Sequence, residues 1–118
     1  MKREYKDYIE DIIESMAKAM SFLEQMDFDE FSKDEKTIFA VVRALEIIGE
    51  AVKHIPTSIR RKYPDIPWRE MAGIRDKVIH EYFGVDLKII WNVVKERIPP
   101  LKILFEKLQH DLIHESEE

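Results

Sequence analysis

The sequence predicts an all-α protein, because apolar side chains recur every three or four residues along most of the chain. This spacing places them on one face of a helix. The 118 residues suffice for one hydrophobic core, so we expect a single helical domain over residues 1–118 with an acidic tail from about residue 114. The clearest helix runs from about Lys2 to Gln25, with apolar positions at Tyr5, Ile9, Ile12, Ile13, Met16, Met20 and Leu23.

A second helix is predicted from its start signal and its stop signal. The stretch from Asp27 to Phe31 breaks the apolar pattern, and Ser32-Lys33-Asp34-Glu35 then has the form of a capping box. In such a box the serine and the glutamate three residues later satisfy the first free backbone donors. We therefore expect a helix from Ser32 to about His54, where Pro56 stops it.

Prolines and glycines divide the second half of the chain. Pro56 to Pro67 is a predicted connection with one helical turn around Thr57 to Lys62. Trp68 opens a helix that Gly84 ends as a left-handed cap. Asp86 caps a final helix, and Pro99-Pro100 should kink or break it before Leu101 to Leu112 resumes the pattern. These segments predict an antiparallel up-and-down bundle of four to five helices.

Composition and charge exclude several classes of protein. The chain has no cysteine and no apolar run of the roughly 20 residues that a membrane helix needs, and its start lacks the apolar part of a signal peptide. We therefore expect a cytoplasmic protein without a membrane partner. A net charge of −5 argues against broad affinity for nucleic acid. However, residues 60–77 contain six basic and three acidic side chains, so this region alone is locally basic.

The most informative stretch is Arg75-Asp76-Lys77-Val78-Ile79-His80-Glu81-Tyr82. Helical spacing puts Arg75 and Tyr82 on the apolar stripe of their helix, where a permanent cation needs an anionic partner or a water-filled cleft. His80 diverges from Arg75 by about 140°. Asp76 lies four residues before His80, close enough to orient its ring. This stretch is therefore the candidate site.

Two other polar groupings have simpler interpretations. Arg43, Glu46 and Glu50 follow helical spacing and predict a ladder of surface ion pairs. His110 and His114 could hold a metal, but Asp111 is the only other plausible ligand nearby. We therefore predict no metal site and no cofactor.

The spacing of Arg75, His80 and Tyr82 resembles the signature of the HepT-like branch of the HEPN superfamily. The segments Tyr8-Ile9-Glu10-Asp11-Ile12 and Arg43-Ala44-Leu45-Glu46-Ile47-Ile48-Gly49-Glu50-Ala51 agree, as does Asp86-Leu87. The resemblance implies a HEPN-like all-helical homodimer with a composite ribonuclease site. It also implies a toxin whose antitoxin is a minimal nucleotidyltransferase of the MntA type, which adenylylates Tyr82. Asp76 departs from the commonest pattern, in which a neutral polar residue such as asparagine follows the arginine.

The residues themselves fit RNA cleavage without a metal. His80 can move a proton of the 2′-hydroxyl or of the leaving oxygen, and Arg75 can stabilise charge on the phosphate. The candidate site of one chain holds a single histidine, which would have to act as both acid and base. A two-fold dimer would supply a second. Two alternatives stay open. The chain could be a noncatalytic subunit that binds a nucleotide or presents substrate to a nucleotidyltransferase, or a plain interaction module in which Arg75 pairs with Glu46 or Glu50.

Overall fold

The computed structural model describes residues 3–74, 76, 77 and 87–117. Within these ranges all regular structure is helical and no strand occurs, which confirms the all-α prediction. None of the helices in these ranges is long and apolar enough to cross a membrane. The elements are α1 (Tyr5–Leu23), α2 (Phe28–Lys33), α3 (Glu35–Val52), α4 (Thr57–Lys62), α5 (Trp68–Ala72), α6 (Leu87–Asn92), a π-helical turn (Val93–Arg97) and α7 (Ile98–Glu117).

The three longest helices run up and down, as predicted. The ring of Tyr8, near the start of α1, stacks on the ring of His54 just after the end of α3, with centroids 4.2 Å apart. At the other end of α1, Lys95 Nζ in the π-helical turn donates to the carbonyl of Leu23 at 3.0 Å. The start of α1 and the end of α7 line one surface pocket. Helix α1 is therefore antiparallel to both α3 and α7.

The core lies along α1, which packs against α3 and against α7. In α1 the buried side chains alternate at spacings of three and four residues, so they form the single apolar stripe that the sequence predicts. Full burial of one large aliphatic or aromatic side chain contributes about 1.5–3 kcal/mol. The largest fully buried side chains are Phe31, Phe105, Ile9, Ile12, Met16, Leu23, Leu45, Ile48, Ile90, Ile98, Leu108 and Val41.

A short helix, α2, occupies part of the region predicted to be irregular. It begins with its own capping box: the backbone N–H of Glu30 donates to Asp27 Oδ1 at 2.8 Å, and the backbone N–H of Asp27 donates to Glu30 Oε1 at 3.1 Å. These bonds satisfy two backbone donors at the helix start. The prediction of a break from Asp27 to Phe31 is therefore wrong beyond Asp27.

The capping box predicted at Ser32 is also wrong. Ser32 lies inside α2, and its hydroxyl donates to the carbonyl of Asp29 at 2.7 Å. The N-cap of α3 is Asp34, whose Oδ1 accepts the backbone N–H of Thr37 at 3.1 Å. The bonds from Thr37 lower the pKa of Asp34, since they favour the charged carboxylate. Helix α3 thus begins later than predicted and ends at Val52, close to the predicted end.

The prolines of the last helix do not break it. Helix α7 begins at Ile98 and contains Pro99 and Pro100, and helical structure runs without a gap from α6 through the π-helical turn into α7. The irregularity comes earlier, as the π-helical turn Val93–Arg97, in which the N–H of Ile98 bonds to the carbonyl of Val93. The missing proline donors leave the preceding carbonyls without the usual α-helical partners, which explains the wider turn.

The helix predicted to begin at Trp68 is interrupted. Helix α5 ends at Ala72, and Gly73 follows as a turn with φ −85° and ψ −4°. Residues 74, 76 and 77 are again helical, and the N–H of Lys77 donates to the carbonyl of Gly73 at 3.2 Å. The predicted caps Gly84 and Asp86 lie outside the described residues.

Candidate functional site

Of the four predicted site residues, the structure describes Asp76. It is exposed, it lies on the helical stretch that follows Gly73, and its carboxylate forms no hydrogen bond or ion pair with another described residue. Its carboxylate is therefore open for the predicted contact with a histidine ring. Arg75, His80 and Tyr82 lie outside the described residues, so their predicted roles stay predictions.

The element that leads into the site is firmly packed. The indole of Trp68 at the start of α5 is buried and meets the ring of Phe105 edge-on, with centroids 5.5 Å apart. Its Nε1 donates to the carbonyl of Tyr63 at 3.0 Å. Farther along, Ile74 is half-buried and packs against the core. The chain therefore enters the candidate site from a fixed position.

The element that follows the site is held in the same way. Trp91 on α6 packs against Phe31 and Phe28 of α2, with ring centroids 5.6 Å and 5.9 Å apart. An ion pair also joins the two sides of the site: both carboxylate oxygens of Glu70 on α5 lie 2.8 Å from Nη2 of Arg97 in the π-helical turn. The segment with the candidate residues thus begins and ends on parts of the fold that are linked directly.

Two of the basic residues in the predicted basic region have structural partners. Nη2 of Arg60 donates to the carbonyl of Val52 at 2.7 Å, and its Nε donates to the carbonyl of Ile55 at 3.0 Å. The half-buried Arg60 therefore caps the carboxyl end of α3, where a cation is also favoured by the helix dipole. Lys62 lies 3.9 Å from Glu115 on α7. Counting charges in the sequence overestimates the number of basic side chains available to a ligand.

Three other basic side chains of this region remain available. Arg61, Arg69 and Lys77 are exposed, and none of them has an acidic partner among the described residues. Arg61 lies on α4, Arg69 lies on α5, and Lys77 lies within the candidate stretch itself. The available positive charge is therefore found at these three positions rather than at every basic residue of the region.

A charged cleft of about 390 Å³ lies between α1 and α3. The predicted ladder is present in part: Arg43 is 4.0 Å from Glu46, whereas Glu50 lies 3.9 Å from Lys53. Sequence reasoning missed the ion pair between Arg3 and Asp11, 2.8 Å apart on the other wall. Arg3 precedes α1, so helical spacing gives no signal for this pair.

The carboxyl end of α7 carries the histidine pair. Nε2 of His110 and Nε2 of His114 are 2.9 Å apart. Asp111 does not join them, because its Oδ2 accepts the hydroxyl of Tyr63 at 3.0 Å. Burial of the phenol and this bond raise the pKa of Tyr63 to about 12. Within the described ranges no three histidine, cysteine or acidic side chains form a group that could hold a metal ion.

Comparison with known proteins identifies the family. The family model described as ribonuclease HepT-like matches residues 12–108. A protein named probable ribonuclease HepT, from Thermococcus cleftensis, is 57% identical over 109 residues, which cover 92% of this chain and 99% of that protein. A provisionally named RNase from Methanocaldococcus jannaschii is 49% identical, with 94% of this chain and 96% of that protein covered.

A third relative, provisionally named an RNase, comes from Caldanaerobacter subterraneus subsp. tengcongensis. It is 44% identical over 97 residues, covering 82% of this chain and 87% of that protein. No solved structure matches the chain significantly. The family match spans most of the chain and includes the whole candidate segment. The chain therefore belongs to the HepT-like ribonuclease family, which confirms the prediction of a ribonuclease.

Proposed function

We propose that this protein is a metal-independent endoribonuclease that acts as the toxin of a toxin–antitoxin pair. The observation that carries the proposal is that the family match over residues 12–108 contains the complete motif of Arg75, His80 and Tyr82. The names of the relatives, which refer to RNases, support the same substrate class. The exposed carboxylate of Asp76 supports its role as the group that orients His80.

The proposed reaction uses the 2′-hydroxyl of RNA as the nucleophile. His80 removes the proton from this hydroxyl, its oxygen attacks the adjacent phosphorus, and the bond to the 5′-oxygen breaks. A second histidine returns a proton to the leaving oxygen, and Arg75 stabilises the negative charge on the phosphate. A homodimer that places two copies of the motif in one cleft supplies both histidines. DNA lacks the nucleophile, so the chemistry itself selects RNA.

Tyr82 is the proposed site of silencing. A cognate nucleotidyltransferase antitoxin would transfer an adenylyl group from ATP to the phenol oxygen and release pyrophosphate. The attached nucleotide is bulky and carries a negative phosphodiester beside Arg75. It would therefore exclude the RNA phosphate by volume and by charge.

A cleavage assay on single-stranded RNA in EDTA tests the nuclease. We expect the wild type to cut, and His80→Ala and Arg75→Ala each to lose roughly 100-fold or more in rate, the first through loss of a proton-transfer group and the second through loss of charge stabilisation. His110→Ala is the matched histidine control, and Lys33→Ala controls for loss of a surface cation that pairs with Asp29 at 3.2 Å. A wild type that leaves RNA intact but binds ATP through Arg75 would favour the noncatalytic nucleotide-binding subunit.

Mass spectrometry tests the silencing step. Incubation with the cognate nucleotidyltransferase and ATP should add adenylyl mass to the wild type and abolish its cleavage of RNA. Tyr82→Phe should gain no mass and stay active, whereas Tyr63→Phe, with its phenol bonded to Asp111, should be modified like the wild type. Adenylyl mass on Tyr82→Phe would show that another residue is the acceptor.

A further inference from the structure

We propose that Arg69 and Lys77 form a phosphate track, a pair of cations that holds single-stranded RNA as it approaches the reaction site. The track lies on α5 and on the helical stretch directly after it. The inference rests on the proposed ribonuclease function and adds to it a surface for the part of the substrate that is not cut.

Backbone hydrogen bonds align the two cations. The N–H of Gly73 donates to the carbonyl of Arg69 at 3.1 Å, and the N–H of Lys77 donates to the carbonyl of Gly73 at 3.2 Å. These are two successive steps of four residues, so Arg69 and Lys77 lie about 12 Å apart along the helical path and within about 80° of each other around it. The two side chains can therefore contact different phosphates of one strand.

The charges of the track are available to a ligand. Both side chains are exposed, and neither has an acidic partner among the described residues. Glu70, the acidic residue next to Arg69, makes a bidentate pair with Arg97 at 2.8 Å. This pair holds the carboxylate of Glu70 and offsets its repulsion of a phosphate. Among the described residues, Glu70 is thus paired and Arg69 and Lys77 have no acidic partner, while the exposed Asp76 lies next to Lys77 in the chain.

Gly73 leaves a gap between the two cations. A Cβ added there would meet only the backbone carbonyl oxygens of Arg69 and Glu70, at 3.6 Å and 3.7 Å, which are ordinary contacts. The surface between the cations is therefore open backbone, over which an RNA strand can lie. The same clearance means that small side chains can be introduced at position 73 without moving its neighbours.

The track leads toward the predicted reaction site. Asp76 lies seven residues after Arg69, close to two full turns, so it returns to within about 20° of the direction of Arg69. Asp76 is the proposed partner of His80, and Lys77 follows it directly in the chain. RNA held by Arg69 and Lys77 would therefore lie beside Asp76, the residue proposed to orient His80.

The dependence of RNA binding on salt tests the track. We would measure binding of a labelled single-stranded RNA to His80→Ala, which keeps the RNA intact, between 50 and 200 mM salt. For single strands, each lost phosphate contact makes the negative slope of log K against log salt shallower by about 0.7. We expect this loss for Arg69→Ala and for Lys77→Ala, and about twice this loss for the double variant. Lys33→Ala should keep the parent slope.

Two variants at Gly73 provide a matched pair. Gly73→Asp places a carboxylate between the two cations and should weaken RNA binding, whereas Gly73→Ala should bind like the parent. In the active protein, Arg69→Ala with Lys77→Ala should raise KM for RNA with little change in kcat, because the two cations contact substrate away from the reacting bond.

The outcomes separate the track from the proposed function. If the wild type cuts RNA but the double variant keeps the parent salt slope, the track is overturned and the nuclease stands. If the double variant instead loses binding to a protein partner at an unchanged RNA slope, the cations serve that partner and the track is again wrong. A wild type that cuts no RNA overturns the proposed function, and the binding slopes still decide the track.

Discussion

Two groups of basic residues, close in sequence, have different fates in the fold. Arg60 and Lys62 on α4 are held by partners: Arg60 by two backbone carbonyls, and Lys62 by Glu115 on α7. Arg69 and Lys77 have no acidic partner among the described residues. The difference teaches that a basic stretch becomes a ligand surface only where the fold leaves its charges unpaired. Substitutions of Arg60 and Lys62 test this contrast directly, and a substitution of Tyr63 tests the bond beside them that holds α7.

The largest effect is expected from Arg60→Ala. The change removes charged hydrogen bonds to the carbonyls of Val52 and Ile55 and leaves the end of α3 uncapped, so we expect a loss of about 2 kcal/mol in the free energy of unfolding. Urea denaturation measures it. Arg69→Ala is the matched control and should change stability by less than about 0.5 kcal/mol. Equal losses in the two variants would erase the distinction between the groups.

An intermediate effect is expected from Tyr63→Phe, which removes the bond from the phenol to Asp111. We expect a loss of about 1 kcal/mol near pH 8. The pKa of Tyr63 is raised from 10.0 to about 12, so the contribution of the neutral phenol is complete below pH 10 and is lost between pH 10 and 12.

Denaturation at several pH values and an alkaline absorbance titration check this expectation. The stability gap between wild type and Tyr63→Phe should narrow as the pH rises above 10, and the wild type should show a tyrosine that ionises near pH 12 and is missing in the variant. A gap that widens with rising pH would contradict the assignment of the bond.

The smallest effect is expected from Lys62→Ala. Lys62 and Glu115 are both more than half exposed and 3.9 Å apart, so solvent screens their attraction. We expect a change in the free energy of unfolding within about 0.5 kcal/mol. The double-mutant cycle with Glu115→Ala measures the pair. A coupling above about 1 kcal/mol would move Lys62 into the class of Arg60.

Periodicity predicted the long helices well, since their apolar residues face one core. Helices α1, α3 and α4 lie within a few residues of their predicted bounds. The start of α3 was misplaced because both Ser32 and Asp34 are residues that cap helices, and only the presence of α2 decides between them. The sequence also gives no sign that Arg60 reaches a carbonyl eight residues earlier, because that contact depends on the turn at Pro56.

The candidate site was predicted from residue types and spacing, and of its four members the structure describes Asp76. Residues 60–77 were predicted to form one basic region, and the fold shows which of its basic side chains are paired. Sequence alone does not show this, because the partners, such as Glu115, are distant in the chain. The interruption at Gly73 was missed for a different reason. A glycine inside an apolar pattern is compatible with either a continuous helix or an end, and local sequence does not distinguish them.

The π-helical turn at Val93–Arg97 determines how α7 is rotated about its own axis. Deleting one residue from Val93–Arg97 would turn α7 by about 100° about its own axis relative to α6. The buried side chains of Phe105 and Leu108 would then turn away from their present positions, and the polar Glu106 and Gln109 would take their places. The π-helical turn therefore sets the rotation of α7 about its axis at which the apolar side of this helix packs against α1.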